Sequence, residues 1–257
     1  MNRIALIDAD IYIYEAASAV ETPIDWGDGL WTLHAEETEA EAALYSRIED
    51  LADAVEADHT ILALSDPENF RHKILPTYKS NRKGTRKPML IPHLRLFVAD
   101  QWETFQRPGL EGDDVLGILA TWGGLKGDKV IITGDKDMNT IPGKVYMSHK
   151  PELGVVNITP EQARYYHMMQ TLTGDATDGY SGCPSVGPKT AEKILKKVEE
   201  EWEPVLGAVP DYWPAVVQQY EKKGLSEEEA LVQARVAYIL QASHYDFHNR
   251  QPILWNP

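Results

Sequence analysis

The sequence Arg-Ile-Ala-Leu-Ile-Asp at residues 3–8 is a short apolar run that ends at a carboxylate. Residues 59–65 and 129–133 repeat this pattern, and an aspartate follows each run within two positions. Apolar runs of this length, bounded by turn residues, predict buried strands. Because stretches with helical periodicity separate the runs, we predict an α/β fold with a central, mostly parallel sheet covered by helices on both faces.

The pattern changes near residue 159. Thr159-Pro160 predicts the start of a helix, with proline at its first position. Helical periodicity then continues to the end of the chain, interrupted by a turn rich in glycine and proline at 182–188. We therefore predict an α/β core over residues 1–158 and a helical region over residues 159–257, which together form one integrated unit.

The composition excludes several classes of protein. The 257 residues are 43% hydrophobic and 25% charged, which is typical of a folded globular chain. No apolar run approaches the roughly 18 residues of a membrane span, and the start lacks the features of a signal peptide. The single cysteine, Cys183, excludes an internal disulfide and a cysteine-rich zinc site. These features predict a cytoplasmic protein.

Charge is distributed unevenly along the chain. The formal net charge is −15, yet residues 71–99 contain no acid. The basic residues of this segment are Arg71, Lys73, Lys79, Arg82, Lys83, Arg86, Lys87 and Arg95. Clustered basic residues are typical of phosphate-binding surfaces, so we predict that the segment binds a polyanion. The alternative is a charged surface in contact with solvent only.

Acidic residues follow each predicted strand, at Asp8, Asp66 and Asp135. The carboxyl ends of parallel strands share one edge of a sheet, so these side chains should lie together. Further acids that can join them are Asp10, Glu111, Asp113, Asp114, Asp137, Asp175 and Asp178. Grouped carboxylates need cations, and oxygen ligands favour Mg²⁺ or Mn²⁺; this number of acids suggests two ions. Turn or helix-capping roles explain any single aspartate but explain all of them together poorly.

The turn at 182–188 has a second chemical feature. Gly187 precedes Pro188 at a predicted helix start, with Lys189 beside it. Exposed backbone amides at such a position, together with a lysine, can bind phosphate. An ordinary connection between two helices is the alternative, although it needs fewer glycines.

These motifs together resemble one family, the metal-dependent 5′ nucleases, which includes flap endonucleases and the 5′ nuclease domain of bacterial DNA polymerase I. The resemblance runs from Leu-Ile-Asp at 6–8 through Phe70-Arg71, 75–82, 111–114, Asp135-Lys136-Asp137 and 174–189. Residues 225–240 and 253–257 are most similar to the small 5′→3′ exonucleases of lytic bacteriophages. The resemblance implies a PIN-like (Rossmann-like) fold with a basic helical arch around residues 71–95 and a helix-hairpin-helix element.

The resemblance also implies roles for individual residues. One metal would be held by Asp8, Asp66, Glu111 and Asp113, and the second by Asp113 or Asp114 with Asp135, Asp137 and Asp178, and by Asp175 through water. Lys79 and Arg82 would steady the scissile phosphate, while Asp135 and Asp137 would serve catalysis. Predicted DNA contacts are Tyr14, which would stack on the terminal base, Arg71, Tyr78, Lys83, Arg86, Lys87, Gly182, Gly187 and Lys189. A K⁺ ion can join the hairpin, and Asp10 is left as a residue that orients metal ligands.

The expected function is a metal-dependent 5′→3′ exonuclease that acts on duplex DNA ends, gaps or flaps, with RNA–DNA hybrids left open. A structure-specific flap endonuclease of the same family is the alternative within this class. A different class is a haloacid-dehalogenase-type phosphatase, because Asp8-Ala9-Asp10 and Gly134-Asp135 with Asp137 resemble its motifs. A non-catalytic DNA-binding relative is a third interpretation.

Overall fold

The computed structural model describes residues 2–82, 84–203 and 209–257. The first part of the chain forms, in order, β1 (Arg3–Asp8), α1 (Ala9–Ala19), β2 (Thr22–Asp25), β3 (Trp31–His34), α2 (Glu37–Ala54), β4 (His59–Ala63), α3 (Arg71–Ile74), α4 (Ile91–Gln101), β5 (Glu103–Phe105), α5 (Gly112–Thr121), β6 (Asp128–Thr133), β7 (Gly143–Met147) and β8 (Val155–Ile158). The second part forms α6 (Pro160–Thr173), α7 (Pro188–Glu201), α8 (Trp213–Glu221), α9 (Glu227–Ala237), β9 (Tyr245–Asp246) and β10 (Gln251–Pro252).

The central sheet has six strands in the order β5-β4-β1-β6-β7-β8. All neighbours are parallel except β7 and β8, which are antiparallel. In the register, Asp8 lies opposite Ala63 of β4, and Ile7 lies opposite Ile132 of β6. The strands β1, β4 and β6 therefore end at one edge of the sheet, as predicted.

The strand β1 shows why both faces of the sheet are covered. Ile4 and Leu6 belong to one apolar cluster, which includes α5 and the later helices, while Ala5 and Ile7 belong to another, which includes α1, α2 and α4. Successive side chains of a strand point to opposite faces, so an entirely apolar strand requires a helical layer on each side. The prediction of an α/β fold with helices on both faces is confirmed.

The predicted helical arch over 71–95 is largely wrong in its secondary structure. Among the described residues of this segment, only those of α3 and the start of α4 are α-helical, with one 3₁₀ turn at Ser80–Arg82. Pro76 and Pro88 disfavour helical backbone at the residues before them, and Gly84 adopts a positive φ of 83°. The described residues between α3 and α4 are thus mostly turns and irregular loop.

The second part of the chain is mainly helical, and α6 begins where Thr159 caps it by accepting a hydrogen bond from the Gln162 amide. Between α6 and α7 the chain folds back on itself at Gly174 and Gly182, whose backbones touch. The same apolar cluster contains residues from β1 to Trp255, so the division at 158/159 stays a prediction. Among the described residues, no helix is long and apolar enough to cross a membrane.

Candidate active site

The carboxyl edge of the sheet carries Asp8 and Asp135, and the first turn of α5 brings Glu111 and Asp113 to the same place. Thr133 connects the two strand ends: its hydroxyl donates to Asp8 Oδ2 at 3.2 Å and accepts from the Asp135 amide at 3.0 Å. Glu111 caps α5, so Asp113 lies in the first helical turn. These acids therefore come from three separate elements and meet at one edge.

The chain segment after β6 and the segment after α6 add three further acids. The Asp137 amide donates to Asp135 Oδ1 at 2.9 Å, which turns the chain back towards the sheet edge. Asp175 closes its own turn by accepting from the Thr177 amide at 2.7 Å. Asp178 lies between Tyr78 and Arg82, 2.7 Å from the Arg82 guanidinium. The helical part thus contributes carboxylates to the same group.

Several of these carboxylates lie close enough for their charges to raise one another's pKa. Burial, together with the neighbouring charges of Asp10 and Asp135, raises the pKa of Asp8 to about 7. Burial and the charge of Asp8 likewise raise the pKa of Asp113, and burial with the charge of Asp135 raises that of Asp137 to about 7. Asp137 Oδ1 is buried and has no hydrogen-bond partner among the described residues. Hard oxygen donors in this state fit divalent cations.

Basic side chains occupy the other half of the group. Lys79 Nζ lies 2.5 Å from Glu111 Oε1 and 3.6 Å from Asp178 Oδ2. Burial alone would raise the pKa of Glu111, but the charges of Arg71 and Lys79 outweigh it and lower the pKa to about 2. Glu111 is therefore ionised across the whole neutral range.

In this arrangement, no three acidic, histidine or cysteine side chains within the described ranges surround a common point as metal ligands. The oxygens of Glu111 and Asp178 are occupied by Lys79, Tyr78 and Arg82. The charges of Asp8, Asp113, Asp135 and Asp137 act on one another within the group.

Three predicted roles are corrected by the buried network behind the acids. The carboxylate of Asp114 is fully buried and accepts two hydrogen bonds from Arg71, at 2.7 and 2.8 Å, so it does not fit a metal ligand. Arg71 is 2% exposed and also donates to the carbonyls of Val236 and Tyr238, so it cannot contact DNA. Tyr78 is equally buried, and its hydroxyl donates to Glu111 and Asp178.

Asp66 lies apart from the acids that meet at Asp8. Its carboxylate accepts from the amides of Glu68 and Gly109 and from the Gln106 side chain, and these hydrogen bonds lower its pKa. Asp66 therefore closes its own loop, and its predicted place in the first metal site does not fit this arrangement.

Asp10 is held beside the site by a partner that the sequence did not reveal. Its carboxylate pairs with Arg95 and accepts from the Ser65 amide at 2.7 Å, while Arg95 also donates to the Ser65 carbonyl. Asp10 thus fixes α4 and the end of β4 next to Asp8. The only sequence signal for Arg95 was its place in the acid-free segment, which gave no indication of its partner.

The predicted DNA contacts differ in exposure. Tyr14 is half exposed on α1, and Lys87, Gly187 and Lys189 are exposed. Arg86 is exposed but pairs with Glu21 at 2.5 Å. The buried amide of Gly182 donates to Gln233, so the predicted DNA contact at Gly182 is corrected. Lys83 lies outside the described residues.

Ion pairing also changes the interpretation of the basic segment. Of its seven basic residues that the structure describes, five pair with acids from other elements, and these are Arg71, Lys79, Arg82, Arg86 and Arg95. Part of the local positive charge is therefore neutralised inside the protein, and part of it is held against the acidic group.

Comparisons with known proteins agree with this geometry. A family model described as the 5′-3′ exonuclease, N-terminal resolvase-like domain, matches residues 3–169. An exodeoxyribonuclease of Enterobacteria phage T3 is 30% identical, and an exonuclease of Escherichia phage T7 is 29% identical; each alignment covers 99% of this chain and 93% of the relative. A bacteriophage T5 protein crystallised with metal ions has the same fold, with a TM-score of 0.65 and 15% identity over 92% of this chain and 89% of that one.

The matched region contains β1, β6 and the start of α5, so it includes the acids at the sheet edge. The comparison with the phage T3 exodeoxyribonuclease extends over both the α/β part and the helical part. The chain belongs to the 5′-3′ exonuclease family.

Proposed function

We propose that this chain is a metal-dependent 5′→3′ exodeoxyribonuclease, which hydrolyses phosphodiester bonds at the 5′ ends of duplex DNA, at gaps and at flaps. The observation that supports this most directly is the group of acids at the sheet edge, with Lys79 held against Glu111. The similarity to phage exonucleases along 99% of the chain supports the same activity. We infer a role in phage DNA degradation or replication, in the host cytoplasm.

We propose that two Mg²⁺ ions, for which Mn²⁺ can substitute, bind this acidic group. The residues that would hold them are Asp8, Glu111, Asp113, Asp135, Asp137, Asp175 and Asp178. The buried, unpartnered oxygen of Asp137 supports this assignment, because such an oxygen is costly without a cation or a donor. When bound, the ions supply positive charge that draws in the phosphate and lowers the pKa of an attacking water.

The protein's own cations complete the proposed site. Lys79 and Arg82 are paired with Glu111 and Asp178, and we infer that they turn to the scissile phosphate when metal ions take over these carboxylates. Positive charge at that place stabilises the negative charge that builds on the phosphate oxygens during hydrolysis. Tyr78 and Arg71 both donate hydrogen bonds to Glu111 Oε2 and so orient its carboxylate.

The residues proposed to bind the DNA duplex are separate from the acidic group. We propose that Gly187 and Lys189 at the start of α7 bind backbone phosphates, with a K⁺ ion at the hairpin, and that Lys87 and Tyr14 contact the strand near its 5′ end. The exposure of these four residues supports this assignment. The phosphatase alternative finds no support, because Asp10, which would be its acid, is paired with Arg95.

A panel of substrates tests the proposal. Blunt, nicked, gapped and flapped duplexes, each labelled at the 5′ or the 3′ end, are incubated with Mg²⁺ or EDTA, and the products are resolved by length. We expect short 5′-labelled products from ends, nicks and gaps in Mg²⁺, and none in EDTA. Products released only from 3′ ends, or full turnover in EDTA, would overturn the proposal. Cleavage of flaps alone would identify a flap endonuclease instead.

A further inference from the structure

A cleft of about 570 Å³ opens beside Asp135, on the side of the sheet that α1 and α2 cover. Ile11 and Glu15 of α1 form one wall, and Arg47 of α2 forms another. Ser148 and His149, just after β7, close the far end. None of these five residues belongs to the acidic group or to the predicted DNA contacts.

The cleft collects hydrogen-bond donors that lack acceptors. The Arg47 guanidinium lies 5.4 Å from the centre of the Tyr12 ring, and no carboxylate in the described part of the chain pairs with it. The Tyr12 side chain, which packs against Arg47, is 1% exposed and does not line the cleft, whose wall at this point is formed by Ser148. Lys136, at the cleft rim, reaches only Asp175 at 3.8 Å.

A guanidinium that pairs with no carboxylate of the described residues, in a cleft that also contains a lysine, fits an acceptor with negative charge. Phosphate oxygens can accept charge-assisted hydrogen bonds from Arg47 and Lys136. The two acids of the cleft oppose an anion less than their number suggests: Glu15 is exposed to solvent, and Asp135 belongs to the proposed metal site. The apolar side chain of Ile11 offers a surface for a sugar or base.

We propose that this cleft is a phosphate-binding subsite for the nucleotide next to the scissile bond, and that Arg47 is its principal contact. The inference rests on the proposed nuclease function, because Asp135 stands at the cleft rim and at the acidic group alike. The phosphate has two sources, the terminal 5′-phosphate and a phosphodiester of the strand.

Two duplexes of identical sequence, one with a 5′-phosphate and one with a 5′-hydroxyl, distinguish these sources. We compare KM and kcat for the wild type, Arg47→Gln, Arg47→Lys and the control Lys126→Gln, which removes one positive charge from the loop before β6, at the opposite edge of the sheet. We expect Arg47→Gln to raise KM about tenfold with little change in kcat, since one charge-assisted hydrogen bond is lost. Arg47→Lys should recover part of the loss, because it keeps the charge.

A rise in KM confined to the 5′-phosphate duplex assigns the cleft to the terminal phosphate, and an equal rise on both duplexes assigns it to a phosphodiester. KM within twofold of wild type on both, as expected for Lys126→Gln, overturns the subsite. If Arg47→Gln does not fold, His149→Gln is measured in its place and should raise KM about threefold.

Calorimetric titration with deoxyadenosine 5′-monophosphate, against deoxyadenosine, tests the cleft without cleavage. Absence of any DNA cleavage by the wild type would instead refute the proposed function.

Discussion

At the scale of single residues, Lys79 shows how the backbone directs a charge into the site. Its φ is +52°, an unusual conformation for a residue with a side chain, and its amide donates to the Asp178 carbonyl at 2.7 Å. A side chain at Gly179 would approach the Thr77 carbonyl to 3.1 Å, so glycine permits the close contact of the two segments. Strained backbone of this kind is often found at functional sites.

The central role of Lys79 is testable by substitution. Lys79→Ala should lower the single-turnover cleavage rate by about 10²–10³, because a group that stabilises transition-state charge is lost. DNA affinity, measured in Ca²⁺ without turnover, should change little. Lys87→Ala is the matched control and should weaken affinity while leaving the saturated rate nearly unchanged. A Lys79→Ala enzyme that cleaves at the native rate once saturated would show that the assigned role is wrong.

Arg71 has a structural role that predicts a loss of stability. Arg71→Gln leaves the buried carboxylate of Asp114 without its guanidinium, and breaking a buried pair in this way costs about 3–5 kcal/mol. Urea denaturation measures the loss. The double variant Arg71→Met with Asp114→Leu should be more stable than Arg71→Gln, since no unpaired charge remains. Equal stability of Arg71→Gln and the wild type would contradict the network.

The same residues show the limit of prediction from sequence. The motif around Phe70-Arg71 and Tyr78 could be recognised, but the burial of its side chains could not, because burial depends on where α9 and the chain after it pack. Asp114 differs from Asp113 only by its position on α5, which directs one carboxylate to the acids and the other into the core. The sequence therefore shows which residue types are present, whereas the fold determines which carboxylate reaches the acids and which is buried in the core.

At the scale of elements, the strands with long apolar runs could be predicted from the sequence, and the strands with weaker apolar patterns could not. The apolar strands β1, β4 and β6 are buried on both faces and could be recognised by composition alone. The strands β5, β7 and β8 lie towards the sheet edges and carry polar or charged residues, and β5 and β8 have only three and four residues, so their sequences resemble loops. The basic segment departs from the predicted helical arch because Pro76 and Pro88 disfavour helical backbone at the residues before them.

The connection between α6 and α7 depends on two glycines whose backbones touch. A Cβ at Gly174 would lie 2.3 Å from the Ser181 carbonyl carbon, and its φ of +67° is unfavourable for other residues. Gly174→Ala should therefore lower the melting temperature and the affinity for duplex DNA, with a stability loss on the order of 2 kcal/mol or more. Gly123→Ala is the control, because nothing lies within 4 Å of its Cβ position and its φ is ordinary. Equal melting temperatures of the two variants would contradict this packing.

At the scale of the whole molecule, charged side chains and buried contacts connect the α/β part of the chain with the helical part. Acids from the helical part meet acids from the sheet edge, and Arg71 ties α3 to the end of α9. His167 of α6 makes a similar connection: it is buried, and its Nε2 lies 2.8 Å from the Ala234 carbonyl of α9. Both connections are long-range in sequence, which is why no local pattern predicted them.

The burial of His167 predicts a pH dependence of stability. Burial lowers the pKa of His167 from 6.5 to about 4, so between these values the unfolded chain binds a proton that the folded chain does not. The free energy of unfolding therefore falls as the pH decreases from 6.5 towards 4, by about 3 kcal/mol for this group. His167→Gln should be less stable at pH 7.5 but lose less on acidification. Urea denaturation at pH 7.5 and 4.5 gives the difference, and identical losses in the two proteins would exclude His167 as the cause.

The central claim is that the acids at the sheet edge bind the metal ions of the reaction. Electron paramagnetic resonance of Mn²⁺ measures this binding directly, without DNA. We predict two bound ions in the wild type, fewer in Asp135→Asn, and an unchanged number in the control Asp246→Asn. Asp246 ends β9, and its carboxylate accepts from the amides of His248 and Asn249 in the exposed turn that follows. A wild type that binds no Mn²⁺, or an Asp135→Asn variant that binds as many ions with the same affinity, would contradict the account.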